Sequence, residues 1–157
     1  YYILKKMKTN FKNFMSLALD EAKLSAIRGE VPVGAIIVNS QDNMVIARSG
    51  NKVEELKDPT AHAEILVIRE ASRLLGTRIQ SCDLYVTLEP CSMCASAASL
   101  ARIRRLYYGA YDIKSGGVDH GARIFNHSNC HHKPEVYGGI KEETSRQLLK
   151  KFFANRR

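Results

Sequence analysis

The sequence predicts an α/β layered domain whose later strands run largely parallel, on three observations. Runs rich in β-branched and aromatic residues alternate with runs of helical spacing, which is how strands joined by helical crossovers read. A chain of 157 residues that is 45% hydrophobic and 25% charged is long enough to bury a sizeable core as one globular domain over 1–157. No internal repeat, low-complexity segment or linker divides it.

Each element follows from local chemistry. Phe11, Phe14, Met15, Ala18, Leu19, Ala22 and Ala26 recur at helical spacing, and the run stops at Gly29, so an opening helix is expected. "VGAIIV" and "NMVIARS" flank the turn-rich "NSQD" and read as two antiparallel strands. A second helix is expected after "DPT", with Thr60 as its N-cap and Gly76 at its end. "LYVTL" is a third strand, "PCSMCASAASLA" a helix opened by Pro90, and "RLYYGA" a fourth strand. A Gly- and His-rich stretch precedes a short fifth strand at Glu135–Tyr137 and a terminal helix.

Composition excludes several classes. The longest apolar runs fall far short of the roughly 20 residues that span a bilayer, and the N-terminal "YYILKK" lacks a signal-peptide core, so a cytoplasmic protein with no membrane partner is expected. Residues 1–6 read as tag or upstream residues, with Met7 a plausible start. Cys82, Cys91, Cys94 and Cys130 are too few and too unevenly spaced for a disulfide framework, which leaves thiols or metal ligands. The net charge of +8 favours a polyanionic partner. The terminal stretch concentrates that charge, with Phe152 and Phe153 between Lys150, Lys151, Arg156 and Arg157; taken alone it also fits an ordinary amphipathic helix.

The residues that carry chemistry form two clusters. "TAHAEILVIREA" places His62 and Glu64 at the start of an otherwise apolar helix, and Cys91 and Cys94 open the next one. Positions three apart share a helix face, and a helix N-terminus favours thiolates, so the two sulfurs can converge on a soft cation. One imidazole and two thiolates make three ligands, and three protein ligands with an open fourth position mark a catalytic zinc site. His62 and Glu64, two apart, reach one centre only from a first turn, where Glu64 would stand beside the metal's water as a base. Alone, a CxxC is also a redox pair or chance, and a His in an apolar run is often a core residue.

Together, "HAE" and "PCSMC" match the H-x-E and P-C-x-x-C signature of zinc-dependent nucleobase deaminases. "EVPVGAIIV", "SGN", "DPTAHAEI", "LYVTLEPCSMCA", "RIRRLYYGAYDIKSGG" and "KKFFANRR" resemble, more narrowly, the bacterial tRNA-specific adenosine deaminases, from about Phe11 to the end. The zinc motifs are shared with cytidine, cytosine and guanine deaminases; "EVPVGA", Asn51 set 11 residues before His62, and "GAYDIKSGG" point to the tRNA branch. The sequence departs from the family at Ser92, where an apolar residue is usual, and at Pro134, which leaves the edge of the last strand open.

The resemblance implies a cytidine-deaminase-like three-layer α/β/α sandwich around a five-stranded mixed sheet, acting as a homodimer. It implies one Zn²⁺ per subunit on His62, Cys91 and Cys94, with Glu64 as the catalytic base, and conversion of the wobble adenosine of an arginine tRNA anticodon stem-loop to inosine. Asn51, Val33 and Ala63 would shape the base pocket, and Asp112, Lys114, Phe153, Arg156 and Arg157 would contact RNA. Cys130, His131 and His132, with His127 nearby, form a second cluster of open role, and Cys82 reads as a buried thiol. Two other functions share these motifs: a deaminase of free guanine, cytosine or a nucleoside, and a non-catalytic zinc-stabilised RNA-binding partner. Retention of Glu64 argues against the second.

Overall fold

The structure, a computed structural model, describes residues 11–156; Arg157 and the N-terminal residues 1–6 lie outside the described residues. In chain order the elements are α1 (Phe11–Ile27), β1 (Gly34–Asn39), β2 (Met44–Gly50), α2 (Val53–Leu56), α3 (Ala63–Leu75) and β3 (Cys82–Leu88). They continue with α4 (Ser92–Leu100), β4 (Arg105–Ala110), a 3₁₀ turn at Ile124–Asn126, β5 (Glu135–Tyr137) and α5 (Glu142–Ala154).

The strands form one mixed sheet in the order β2-β1-β3-β4-β5. β1 pairs antiparallel with both β2 and β3, while β3, β4 and β5 are parallel. The β3-α4-β4 segment is therefore a crossover unit, as the alternation of strand and helix predicts.

Strand alternation sorts the core into two layers. Ala35, Ile37, Leu84, Val86, Leu106 and Tyr108 face one way and pack with Ala63 and Val67 of α3 and Ala95 and Ala98 of α4. Ile36, Val38, Tyr85 and Tyr107 face the other way and pack with Phe14, Met15, Ala18 and Leu19 of α1 and Leu148 of α5. The result is the three-layer α/β/α sandwich with a five-stranded sheet. Because helices cover both faces, β1 and β3 are buried almost throughout rather than on alternate residues.

Two starts differ from expectation. Thr60 does not cap α3, because its N–H and hydroxyl both donate to Asp58 at 2.8 and 2.6 Å, closing a turn that holds it away. His62 is the N-cap instead. Likewise Cys91 is the N-cap of α4, and Pro90 stands just outside it. α3 ends as expected at Gly76, whose φ of 98° carries the chain out of the helix where an L side chain would be strained. Pro134 is compatible with the last strand: β5 begins at the next residue, on the sheet edge, where a missing N–H costs no ladder bond.

Candidate metal centre and base-binding cleft

Two helix starts and two strand ends converge at one edge of the sheet. The parallel strands β3 and β4 end there, and the chain from β3 runs through Glu89 and Pro90 into α4. Crevices outside the carboxyl ends of such strands are the usual place for a ligand. α3 also begins at this edge, after the turn that follows Asn51.

The N-cap conformation delivers the donors. His62 and Cys91 are extended (ψ 152° and 173°), as N-caps require, yet neither side chain caps its own helix. Both turn toward each other instead: His62 Nδ1 lies 3.6 Å from Cys91 Sγ and 3.5 Å from Cys94 Sγ. The ligand atoms of these three residues all lie within 4.8 Å of one another. Among the described residues this is the group placed to hold a metal ion. Nitrogen and sulfur donors in that number suit zinc with its fourth position open.

The electrostatics fit a cation held by thiolates. The hydrogen bond from Cys94, with a second from His62, pushes the Cys91 thiol down to about 4. Cys94, which donates that bond and is buried, is pushed up. His62 is raised by its Cys91 partner.

Glu64 follows two residues after His62, in the first turn of α3, and is 4% exposed. Burial raises its carboxyl, against the pull of Cys94 and of charged His62. It lines a cleft of about 180 Å³ together with His62, Cys91, Asn51, Val33 and Ala63. Asn51, Val33 and Ala63, expected to shape a base pocket, thus line one cleft with Glu64.

Asn51 is held from both sides. Its N–H donates to the Val33 carbonyl at 2.9 Å, and its side-chain Oδ1 accepts from Val53 N–H at 3.2 Å. Buried Glu30 accepts the N–H groups of Glu54 and Glu55, the former at 2.7 Å, and so caps α2 from a distance. These bonds fix Asn51 in the wall of the cleft.

Of the expected RNA contacts, Asp112 lines the cleft, and it also lines an open outer hollow with Lys114, Tyr111, His120 and Arg146. Phe153 stands 53% exposed on α5, away from the cleft. Arg156 is exposed and held along the surface: it donates to the Gly29 carbonyl at 2.7 Å and lies 4.1 Å over the Phe152 ring. The second cluster is not a metal site in this fold. His132 Nε2 is 2.6 Å from the Ile103 carbonyl, His127 Nε2 is 2.6 Å from the Ala122 carbonyl, and Cys130 lies 3.4 Å from Ser99 Oγ. Cys82 is buried in the core. Glu89 and Ser115 also line the cleft and were not anticipated; the available signal was a carboxylate closing the apolar run of "LYVTLEPC".

Known proteins share this arrangement. Residues 8–110 match the model of the cytidine and deoxycytidylate deaminase zinc-binding region. The tRNA-specific adenosine deaminase of Agrobacterium fabrum (strain C58) is 56% identical over 146 residues, covering 92% of this chain and 95% of its own. That of Bacillus subtilis (strain 168) is 41% identical, covering 89% and 86%. A structure solved in a study of A-to-I editing by tRNA:A34 deaminases at the wobble position superposes with a TM-score of 0.83 at 58% identity, covering 87% of this chain and 98% of that one. The guanine deaminase of Nitrosomonas europaea, 19% identical with a TM-score of 0.80, shares the fold. The chain belongs to the cytidine and deoxycytidylate deaminase family and, within it, to the tRNA-specific adenosine deaminases.

Proposed function

We propose that this protein removes the exocyclic amine of the wobble adenosine in a tRNA anticodon, an arginine tRNA above all, consuming water and releasing ammonia to leave inosine. One zinc-dependent deaminase domain spanning the chain carries the reaction. The observation behind this reading is a buried carboxylate, Glu64, beside three converging soft donors in a cleft that ends on Asn51. At about 180 Å³ the cleft is smaller than the roughly 300–1,000 Å³ of pockets that engulf whole drug-sized ligands. It takes a base, while ribose and phosphates stay outside.

His62, Cys91 and Cys94 would hold zinc, which when bound supplies the Lewis acidity that makes water nucleophilic at neutral pH. Glu64 takes the first proton of the water that attacks adenine C6 and passes it to the ring nitrogen, then takes the second from the hydroxyl now on C6 and passes it to the amine, which leaves as ammonia. Asn51 donates to the base from a fixed amide, and Val33 and Ala63 set the width of the slot. Drawing a base out of the anticodon stack costs a few kcal/mol, least in a loop already partly unpaired. Lys114 and Arg156, with Arg157 at the chain's end in sequence, offset that cost through phosphates, and exposed Phe153 through stacking.

The protein acts as a homodimer, a reading supported by the exposed apolar Leu74 and Leu75 of α3 and Leu100 of α4. Among the described residues no helix is long and apolar enough to cross a membrane. Four unpaired cysteines suit the reducing cytoplasm, where its RNA substrate resides.

Salt dependence tests the RNA reading. Affinity for an anticodon stem-loop should fall as salt rises, with a log-log slope of about 0.7 per phosphate neutralised in single-stranded RNA. Removing residues 153–157 should weaken stem-loop turnover and leave zinc content unchanged. Efficient turnover of free guanine or cytosine, indifferent to salt and to that truncation, would instead make this a small-molecule deaminase.

A further inference from the structure

Glu89 is a buried carboxylate that the reaction does not use. Glu89 sits between the end of β3 and the zinc-ligand segment, and its side chain is fully buried. Oε2 accepts the backbone N–H groups of Val118, Asp119 and His120 at 3.3, 3.0 and 3.0 Å. Oε1 accepts the N–H of Asp112 at 3.1 Å and lies 2.8 Å from His120 Nδ1. Every one of these partners belongs to the loop that follows β4, 23 to 31 residues away in sequence. Such a ring of converging N–H groups is a nest for an anion, and here the anion is a side chain from the next strand.

Two further contacts close the same joint. Gly117 N–H donates to the Pro90 carbonyl at 2.8 Å, and the Tyr108 hydroxyl donates to Asp119. Gly116 presses so closely that a Cβ there would lie 2.3 Å from Glu89 Oε2. The loop thus fastened carries Asp112 and Ser115 into the wall of the cleft and Lys114 into the outer hollow that Asp112 also lines.

We propose that Glu89 is a positioning residue: by gathering the loop amides it fixes residues 112–120 as the outer wall of the cleft and sets how tightly the substrate adenosine is held. The proposal rests on the deamination reading given above. Glu64 and the three metal donors belong to α3, α4 and their N-caps, not to this loop, so the joint governs binding and leaves the chemical step alone.

Glu89→Gln tests it. Whichever way the new amide is turned, an N–H of the loop faces an NH₂ group, and an unmade buried bond is costly. The variant should keep its zinc and its kcat within about threefold, while KM for the stem-loop rises about tenfold or more. Hydrogen exchange at the amides of Asp112, Val118, Asp119 and His120 should quicken while the core strands stay protected. Gly116→Ala breaks the joint from the loop side and should raise KM similarly, and the double variant should be no worse than the more affected single one. Unchanged KM, a fall in kcat as large as the rise in KM, loss of zinc, or additive effects in the double variant would each overturn the proposal. If Glu89→Gln does not fold, His120→Ala decides: it removes one contact from a partly exposed side chain and should raise KM about threefold, and an unchanged KM overturns the idea. Parent protein that makes no inosine in the stem-loop rejects the deamination reading instead, while the exchange of the four amides still tests the joint.

Discussion

Glu64→Gln folds, retains about one zinc per chain and binds the stem-loop with parental affinity, while kcat falls by about 10³- to 10⁴-fold. That is about 4 to 5.5 kcal/mol of barrier. The reason is local. Glu64 is buried in the first turn of α3 and lines the cleft beside His62 and Cys91. Glutamine keeps the shape and loses the ability to accept a proton from water or to return it to the leaving amine. Steady-state inosine formation, with zinc measured on the same sample, checks this. Turnover within tenfold of the parent would remove Glu64 from the reaction.

Cys91→Ala has the other large effect. It removes one of three donors that lie within 4.8 Å of one another, and two donors hold zinc poorly. Elemental analysis should find less than about a tenth of the parental zinc, and inosine formation should be lost with it. The variant keeps its secondary structure, because the two apolar layers on either side of the sheet are built without the site. Full zinc retention would mean that the ligand set is different.

The contrast between Glu64 and Glu89 explains what the sequence made legible. Glu64 stands two residues from His62, and local spacing alone tells that both reach one centre only from a first turn. Cys91 and Cys94 are equally local, being the N-cap and third residue of one helix. The fourth strand, "RLYYGA", coincides with β4, an apolar run centred on the aromatic pair Tyr107 and Tyr108. For Glu89 the sequence offered only a carboxylate closing an apolar run, since its partners are backbone amides and the His120 ring of a distant loop. α2 is hidden for the same reason: four residues long, it is capped by Glu30 from 24 residues away. Thr60 misled because a threonine before a helix is a good N-cap only if its hydroxyl is free, and Asp58 takes it. The count of basic residues is in the sequence, but not that exposed Arg156 lies over Phe152.

The central claim is that this cleft deaminates one adenosine of a tRNA anticodon. The direct measurement is nucleoside mass spectrometry of an arginine tRNA anticodon stem-loop, with a wobble adenosine, after incubation with the zinc-loaded full chain. Inosine should appear at the wobble position and at no other adenosine, with free adenosine, guanine and cytosine turned over poorly in parallel reactions. An unaltered stem-loop at low salt, alongside efficient deamination of free guanine or cytosine, would contradict the account.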